Sequence, residues 1–170
     1  MNSIKGKIIN YNESFFGEII FNQNINKINK IETFNNDVII IPGFVDLHCH
    51  GGNGFDTMEG YSSIKEMSNF HLLHGTTTLL PTTWTSGFDN ILKTLKSIDE
   101  LINDENNNIE GIHLEGPFIN PNKLGAQPAL TQLPSYDFIE NILKDVDIKI
   151  ITLAPEIEGM NEFIDFLINK

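Results

Sequence analysis

The amino-acid sequence predicts an α/β fold: the first half of a (β/α)8 TIM-like barrel, preceded by a small β-sheet. From Pro42 onward, apolar strand-like runs alternate with helical patterns, which is typical of βαβ units and a parallel sheet. Each βα pair takes roughly 30 residues, the repeat of a (β/α)8 barrel. Eight pairs need about 250 residues. A chain of 170 residues is therefore expected to be a truncated barrel.

The first 41 residues are predicted to form β-structure, and no residue pattern among them indicates a catalytic or binding site. Val, Ile and Phe recur there at a period near two, with Asn and Gly between the runs. Four strands are expected in this segment, within residues 3–11, 15–22, 25–34 and 37–41. We therefore predict an N-terminal β-strand segment over residues 1–41 and the first four βα units over residues 42–170.

The βα units are predicted as follows. Strands are expected near residues 43–50, 76–82, 109–115 and 148–154, and helices over residues 62–74, 88–103, 135–145 and 160–170. Ser63 and Glu66 have the spacing of a capping box, and Gly75 is suited to end the same helix. An apolar stripe at helical spacing marks the second helix; it comprises Ile91, Leu92, Leu95, Ile98 and Ile102.

Composition limits the classes of partner. The formal net charge is −12 and arginine is missing, which argues against nucleic acid, because clustered basic residues hold phosphate backbones. No apolar run approaches the roughly 18 residues of a membrane span, so no membrane is expected. A single cysteine fits a reducing, cytoplasmic location. Residues 103–110, rich in Asn, are interpreted as a solvated loop.

Two of the five histidines, His48 and His50, end the first predicted barrel strand. Side chains alternate along a strand, so both point to one face, about 6–7 Å apart at Cβ, while Cys49 points to the other. Active sites of parallel barrels lie at the carboxyl ends of their strands. Three glycines follow within four residues and allow close approach. This arrangement favours a metal site over two ordinary surface histidines.

Glu115 ends another predicted strand, before Gly116 and Pro117. Its carboxylate is suited to join the histidines as an oxygen ligand, although a loop glutamate that caps the next element is an equally good interpretation. His113 shares its face and is interpreted as a packing or hydrogen-bonding residue behind the ligands.

The other histidines and the cysteine are not expected to bind metal. His71 and His74 lie on the first predicted helix, where His74 is placed to interact with the helix dipole. Cys49 points away from His48 and His50, so neither thiolate ligation nor nucleophilic catalysis is expected.

Several stretches together carry a resemblance. "PGFVDLHCHGG" resembles the first barrel strand of the amidohydrolase superfamily, and "HGTTTLLPT", "GIHLEGPFINPNKLGAQ" and "ITLAPE" resemble the N-acetylglucosamine-6-phosphate deacetylase family. The resemblance covers nearly the whole chain and is most specific over residues 42–56 and 111–128. It implies metal-dependent hydrolysis of the acetamide of N-acetylglucosamine 6-phosphate to acetate and glucosamine 6-phosphate.

The resemblance also implies roles for individual residues. Glu115 corresponds to a principal metal ligand, and His48 and His50 match a pair that holds a second metal. The cofactor would be one or two divalent ions, zinc or iron. Ala126 and Gln127 correspond to a segment that touches substrate, and residues 1–41 to part of a β-sandwich beside the barrel.

The remaining functional groups of the family would lie beyond Lys170. These are two further metal-binding histidines, the aspartate that acts as general acid/base, and the basic residues that bind the sugar phosphate, so that no catalytic residue is expected within this chain. The family also implies a homo-oligomer, a dimer or tetramer, with a phosphorylated amino sugar as its small-molecule ligand.

Two alternatives stay open. The chain could be a non-catalytic fragment that binds metal or another subunit, since half a barrel exposes strand edges. It could instead belong to an amidohydrolase that acts on a cyclic amide.

Overall fold

The computed structural model describes residues 1–33, 35–104 and 106–170. The chain divides into two compact units, Met1–Gly43 and Phe44–Lys170. Phe34, in the third predicted strand of the first segment, and Glu105, in the predicted loop 103–110, lie outside the described residues.

The first unit is built on a four-stranded sheet, and all four strands expected there are observed. They are β1 (Asn2–Ile9), β2 (Ser14–Phe21), β3 (Ile25–Lys30) and β4 (Ile39–Ile40). The order is β3-β2-β1-β4, antiparallel except for the parallel pair β1–β4. Gly6 faces Gly17 across the β1–β2 pair. A Cβ at residue 6 would lie 2.6 Å from the Val38 carbonyl oxygen, so a glycine there lets the chain before β4 pack closely.

The second unit alternates strands and helices as predicted. Its main strands are β5 (Phe44–Cys49), β8 (Thr76–Pro81), β9 (Ile112–Glu115) and β10 (Ile148–Thr152). Between β5 and β8 lies a short hairpin of β6 (Gly51–Gly52) and β7 (Phe55–Asp56). The helices are α1 (Tyr61–Leu73), α2 (Phe88–Ile102), α3 (Tyr136–Ile142) and α4 (Met160–Ile168).

The main strands of this unit run parallel. β5 pairs with β8 and β9 pairs with β10, while the parallel bridges Leu79–Ile109 and Thr82–His113 join the two pairs. The four strands therefore lie side by side in sequence order. Because parallel neighbours end at the same edge, residues that follow β5, β8 and β9 come together there.

The predicted stripe of α2 faces the core. Ile91, Leu95 and Ile98 are fully buried, as is Leu101, and Leu92 is partly buried against the same cluster. Burial of these side chains holds α2 against the strands, since apolar area removed from water is the main favourable term in folding.

The predicted capping box of α1 is wrong. The helix begins at Tyr61 after Gly60, which offers no side-chain cap, so Ser63 lies inside the first turn. The Ser63 hydroxyl instead accepts a hydrogen bond from the Asp56 amide at 3.0 Å. It is therefore used to fasten the end of β7 to the helix. The predicted end of α1 is confirmed: Gly75 follows the helix with φ of 95°.

In the described ranges, no helix reaches both the length and the apolar character that a bilayer crossing requires.

Candidate metal centre

The histidine pair is fixed at the end of β5 by the neighbouring strand. The Cys49 amide donates to the Thr82 hydroxyl at 2.9 Å, and the Thr82 amide donates to the Cys49 carbonyl at 2.8 Å. These bonds hold the backbone between His48 and His50 in place. The two imidazoles lie edge to face, with ring centroids 4.8 Å apart.

Glu115 is held at the end of β9 by a hydroxyl from the strand beside it. Thr83 Oγ1 accepts a hydrogen bond from the Glu115 amide at 3.1 Å and lies 3.1 Å from the Glu115 carbonyl oxygen. The next peptide, Gly116–Pro117, is cis. The Thr83 hydroxyl thus holds both the amide and the carbonyl of Glu115.

The structure brings the three predicted ligands together. Glu115 Oε2 lies 2.8 Å from His50 Nε2 and 3.7 Å from His48 Nε2. One donor atom from each of the three residues lies within 4.8 Å of the other two. His48 is half exposed, whereas His50 and Glu115 each expose 17% of their side chains. The cluster is therefore open on the His48 side.

The hydrogen-bonding state of His50 favours a cation between these groups. His50 Nδ1 lies 3.1 Å from the Thr82 carbonyl oxygen, which only accepts, so Nδ1 carries the hydrogen. A neutral imidazole then presents a bare lone pair at Nε2. That lone pair faces Glu115 Oε2, which is buried and accepts no hydrogen bond from the described part of the chain. In that state the two atoms, 2.8 Å apart, repel each other, and a divalent cation shared by them would satisfy both.

His113 lies behind the cluster, as interpreted from the sequence. Its Nδ1 lies 2.9 Å from the Leu47 carbonyl oxygen and its Nε2 lies 2.8 Å from Thr152 Oγ1. Burial lowers the pKa of His113, which keeps the ring neutral. With both nitrogens occupied, the ring positions His48, whose centroid is 5.0 Å away.

Trp84 is a further neighbour of the centre. Its ring stacks on His50 with centroids 3.8 Å apart and planes inclined by 18°. Trp84 Nε1 donates to Asp56 Oδ2 at 3.2 Å, which fixes the ring. The sequence signal for Trp84 is its position. It is the single tryptophan of the chain and comes two residues after Thr82, which anchors the backbone between His48 and His50.

The two residues expected to touch substrate lie in different environments. Ala126 is exposed and lines a cavity of about 380 Å³ together with Asp56 and Trp84. The Gln127 side-chain oxygen accepts a hydrogen bond from the Thr85 amide at 2.8 Å. Gln127 thus links its loop to the chain after β8, at the residue that follows Trp84.

Comparisons with known proteins were made with the sequence and with the structure. No family model matches the chain. The N-acetylglucosamine-6-phosphate deacetylase of Bacillus subtilis is 38% identical over 140 residues, which cover 77% of this chain and 35% of that protein. The resemblance predicted from residues 42–56 and 111–128 is thereby confirmed.

Solved structures give the same result. The N-acetylglucosamine-6-phosphate deacetylase of Thermotoga maritima superimposes with a TM-score of 0.83 at 31% identity, covering 98% of this chain and 46% of that one. A variant of the Mycobacterium smegmatis deacetylase, in complex with N-acetyl-D-glucosamine-6-phosphate, has a TM-score of 0.84 at 25% identity, covering 98% of this chain and 47% of that one. The chain thus spans about a third of the curated relative and about half of the solved chains.

Proposed function

We propose, from the kinship of this chain with N-acetylglucosamine-6-phosphate deacetylases, that it contributes the metal-binding part of an enzyme that deacetylates N-acetylglucosamine 6-phosphate. The observation that carries the proposal is the convergence of His48, His50 and Glu115 at the carboxyl ends of neighbouring parallel strands. The buried Glu115 Oε2, without a hydrogen-bond donor among the described residues, supports a cation as its partner.

The ligand set is two imidazoles and one carboxylate, which suits zinc or iron. Glu115, His50 and His48 would hold one ion, or two with ligands from outside the chain. When bound, such an ion supplies Lewis-acid activation of the acetamide carbonyl and of water. The chain's own residues would orient the centre: Thr82 fixes the His50 tautomer, and Thr83 holds the backbone of Glu115.

The substrate would bind on the Trp84 side of the centre. Ala126 lines the cavity there, and the Gln127 bond to Thr85 fixes the loop that presents it. The net charge of −12 and the lack of arginine do not suit a phosphate group. The basic groups that bind it, and the acid/base aspartate, are therefore proposed to come from beyond Lys170 or from a partner subunit of a homo-oligomer.

The fold would serve this function as half of a (β/α)8 barrel. The parallel order β5-β8-β9-β10 and the βα alternation of residues 42–170 support this architecture, with the sheet of residues 1–41 as part of a sandwich. A cytoplasmic location is proposed, because the substrate class belongs to sugar phosphate metabolism and the chain has a single cysteine.

The test uses the complete protein and N-acetylglucosamine 6-phosphate. We expect acetate release that a chelator abolishes and that added divalent metal restores. Glu115→Gln should remove the activity, whereas Glu110→Gln, an exposed glutamate five residues earlier, should not.

Other outcomes would select the alternatives. Metal binding without hydrolysis of any acetylated sugar phosphate would favour a non-catalytic role. Unchanged activity on the sugar phosphate in Glu115→Gln and Gln127→Ala would contradict the proposed site, and hydrolysis of a cyclic amide in its place would favour the other amidohydrolase reading.

A further inference from the structure

We infer that the chain has a second divalent-metal site, formed by Asp46, Cys49 and His71 with the Gly51 carbonyl oxygen, between α1 and the end of β5, where the β5–β8 register shifts. None of its donor atoms is a donor of the centre described above, although Asp46 Oδ1 accepts a hydrogen bond from the His48 amide at 3.1 Å. The second site does not depend on the proposed deacetylase function.

The donor atoms already converge. Cys49 Sγ lies 3.2 Å from His71 Nε2 and 3.4 Å from the Gly51 carbonyl oxygen, and His71 Nε2 lies 3.2 Å from that same oxygen. A carboxylate oxygen of Asp46 lies within 4.8 Å of the sulfur and the imidazole nitrogen. Four potential ligands therefore lie close to one another: a sulfur, a nitrogen and two oxygens.

The distances fit a tetrahedral ion after a small expansion. Zinc bonds of about 2.3 Å to sulfur and about 2.0–2.1 Å to nitrogen or oxygen, at tetrahedral angles, separate the donors by about 3.4–3.6 Å. The three measured separations fall about 0.2–0.4 Å short of those values. Binding of an ion would move β6 and α1 apart by about 0.2–0.4 Å. Only the Asp46 side chain would move toward the ion.

The local sequence provides the space that this arrangement requires. A Cβ at Gly52 would lie 2.6 Å from His71 Nε2, so only a glycine at position 52 lets the imidazole reach Cys49. Cys49 belongs to the buried core cluster, which excludes water on one side. His71 and Asp46 are partly exposed and leave a path for the ion.

The donor chemistry selects the class of ion. A thiolate, an imidazole and a carboxylate together suit Zn²⁺ or Co²⁺, whereas Mg²⁺ and Ca²⁺ prefer oxygen alone. On binding, the Cys49 thiol gives up its proton to solvent and the thiolate takes the ion. The hydrogen that His71 Nε2 directs at the Gly51 carbonyl oxygen without the ion moves to Nδ1 by exchange with solvent, so that the Nε2 lone pair also takes the ion. No oxidant or further reactant takes part.

The test is a Co²⁺ titration of the full chain under reducing conditions, followed by near-ultraviolet absorption. Thiolate-to-cobalt charge transfer absorbs there, and Cys49 is the single cysteine of the 170 residues, so the band reports this site. We expect the band in the wild type and in Glu115→Gln, and its loss in Cys49→Ser. His71→Gln should weaken cobalt binding by more than about tenfold, since loss of even an outer partner costs that much.

The matched control is His74→Gln. His74 lies three residues further along the chain and is exposed, and its ring Nδ1 lies 2.8 Å from the Phe70 carbonyl oxygen, so the variant should bind cobalt as the wild type does. A wild type without the band, or an unchanged affinity in His71→Gln, would overturn the site. Should circular dichroism show that His71→Gln is unfolded, Asp46→Asn takes its place, and an unaltered affinity there would count equally against the inference.

Discussion

At the scale of single residues, the candidate centre depends on neighbouring residues that orient the metal ligands. His50 is held at Nδ1 by the Thr82 carbonyl and across its face by Trp84, so its Nε2 has one direction left to point. Glu115 lies in that direction. Outer partners of this kind fix the tautomer and orientation of metal-binding histidines.

Glu115→Gln should remove the stabilisation that divalent metal gives through the centre of His48, His50 and Glu115. An ion at a free concentration about one hundred times its Kd adds about 2.7 kcal/mol to folding, or roughly 5–10 °C in Tm for a chain of this size. Thermal unfolding with and without zinc measures this difference. In a Cys49→Ser background, which lacks the thiolate of the second site, the parent protein should show the shift, Glu110→Gln should keep it, and Glu115→Gln should lose it. An equal shift in all three would show that Glu115 is not a ligand.

Trp84 should set the affinity of the centre through its contact with His50. Trp84→Ala removes the stacked ring and should weaken metal binding by about 10–100-fold. Trp84→Phe keeps an aromatic face but loses the bond to Asp56, and should stay close to the wild type. Calorimetric titration with zinc, in the Cys49→Ser background, separates the two variants. Equal affinities in Trp84→Ala and the wild type would mean that the stack only fills space.

The sequence identified the candidate ligands because their signal is local. His48 and His50 alternate along one strand, and Glu115 ends another, so strand geometry alone places them together. Trp84 and His71 carry no such signal. Their roles depend on which strand lies beside β5 and how far α1 is rotated, and both follow from tertiary packing.

At the scale of elements, the residues that cap the helices were harder to predict from the sequence than the helix faces that pack against the core. The apolar stripe of α2 was predicted correctly because helical spacing decides which side chains face the core. The capping box at Ser63 was wrong because the hairpin β6–β7 brings the Asp56 backbone to that hydroxyl. Ser135, which does cap α3 by accepting from the Phe138 amide at 3.3 Å, lacks the glutamate three residues later that marks a capping box.

Ile98→Ala in α2 should destabilise the second unit by about 2–5 kcal/mol, because the side chain is fully buried and its removal leaves a cavity. Lys96→Ala, on the exposed side of the same helix, should change stability by less than about 0.5 kcal/mol. Urea unfolding followed by circular dichroism measures both. Similar losses in the two variants would contradict the observed orientation of α2.

At the scale of the whole molecule, the parallel strand order carries the proposed architecture. Among the described residues, β5 pairs with β8 along one of its edges, and β10 pairs with β9 along one of its edges. The other edge of each strand has no partner strand there. The sequence predicted the strands and their order from the βα repeat, a property of length and periodicity. It could not predict the bulged β5–β8 register, which depends on side chains from both strands.

The open edge of β5 leads to a last prediction. Phe44, Val45 and Leu47 are 56%, 61% and 49% exposed, and an apolar strand edge pairs readily with another chain. The 170-residue chain expressed alone should therefore self-associate as its concentration rises, which light scattering detects. Val45→Lys should reduce the association, because a charged residue blocks edge pairing. Ile28→Lys, an equally apolar exposed position on β3, should have a smaller effect, and a wild-type chain that stays monomeric at every concentration would contradict an exposed pairing edge at β5.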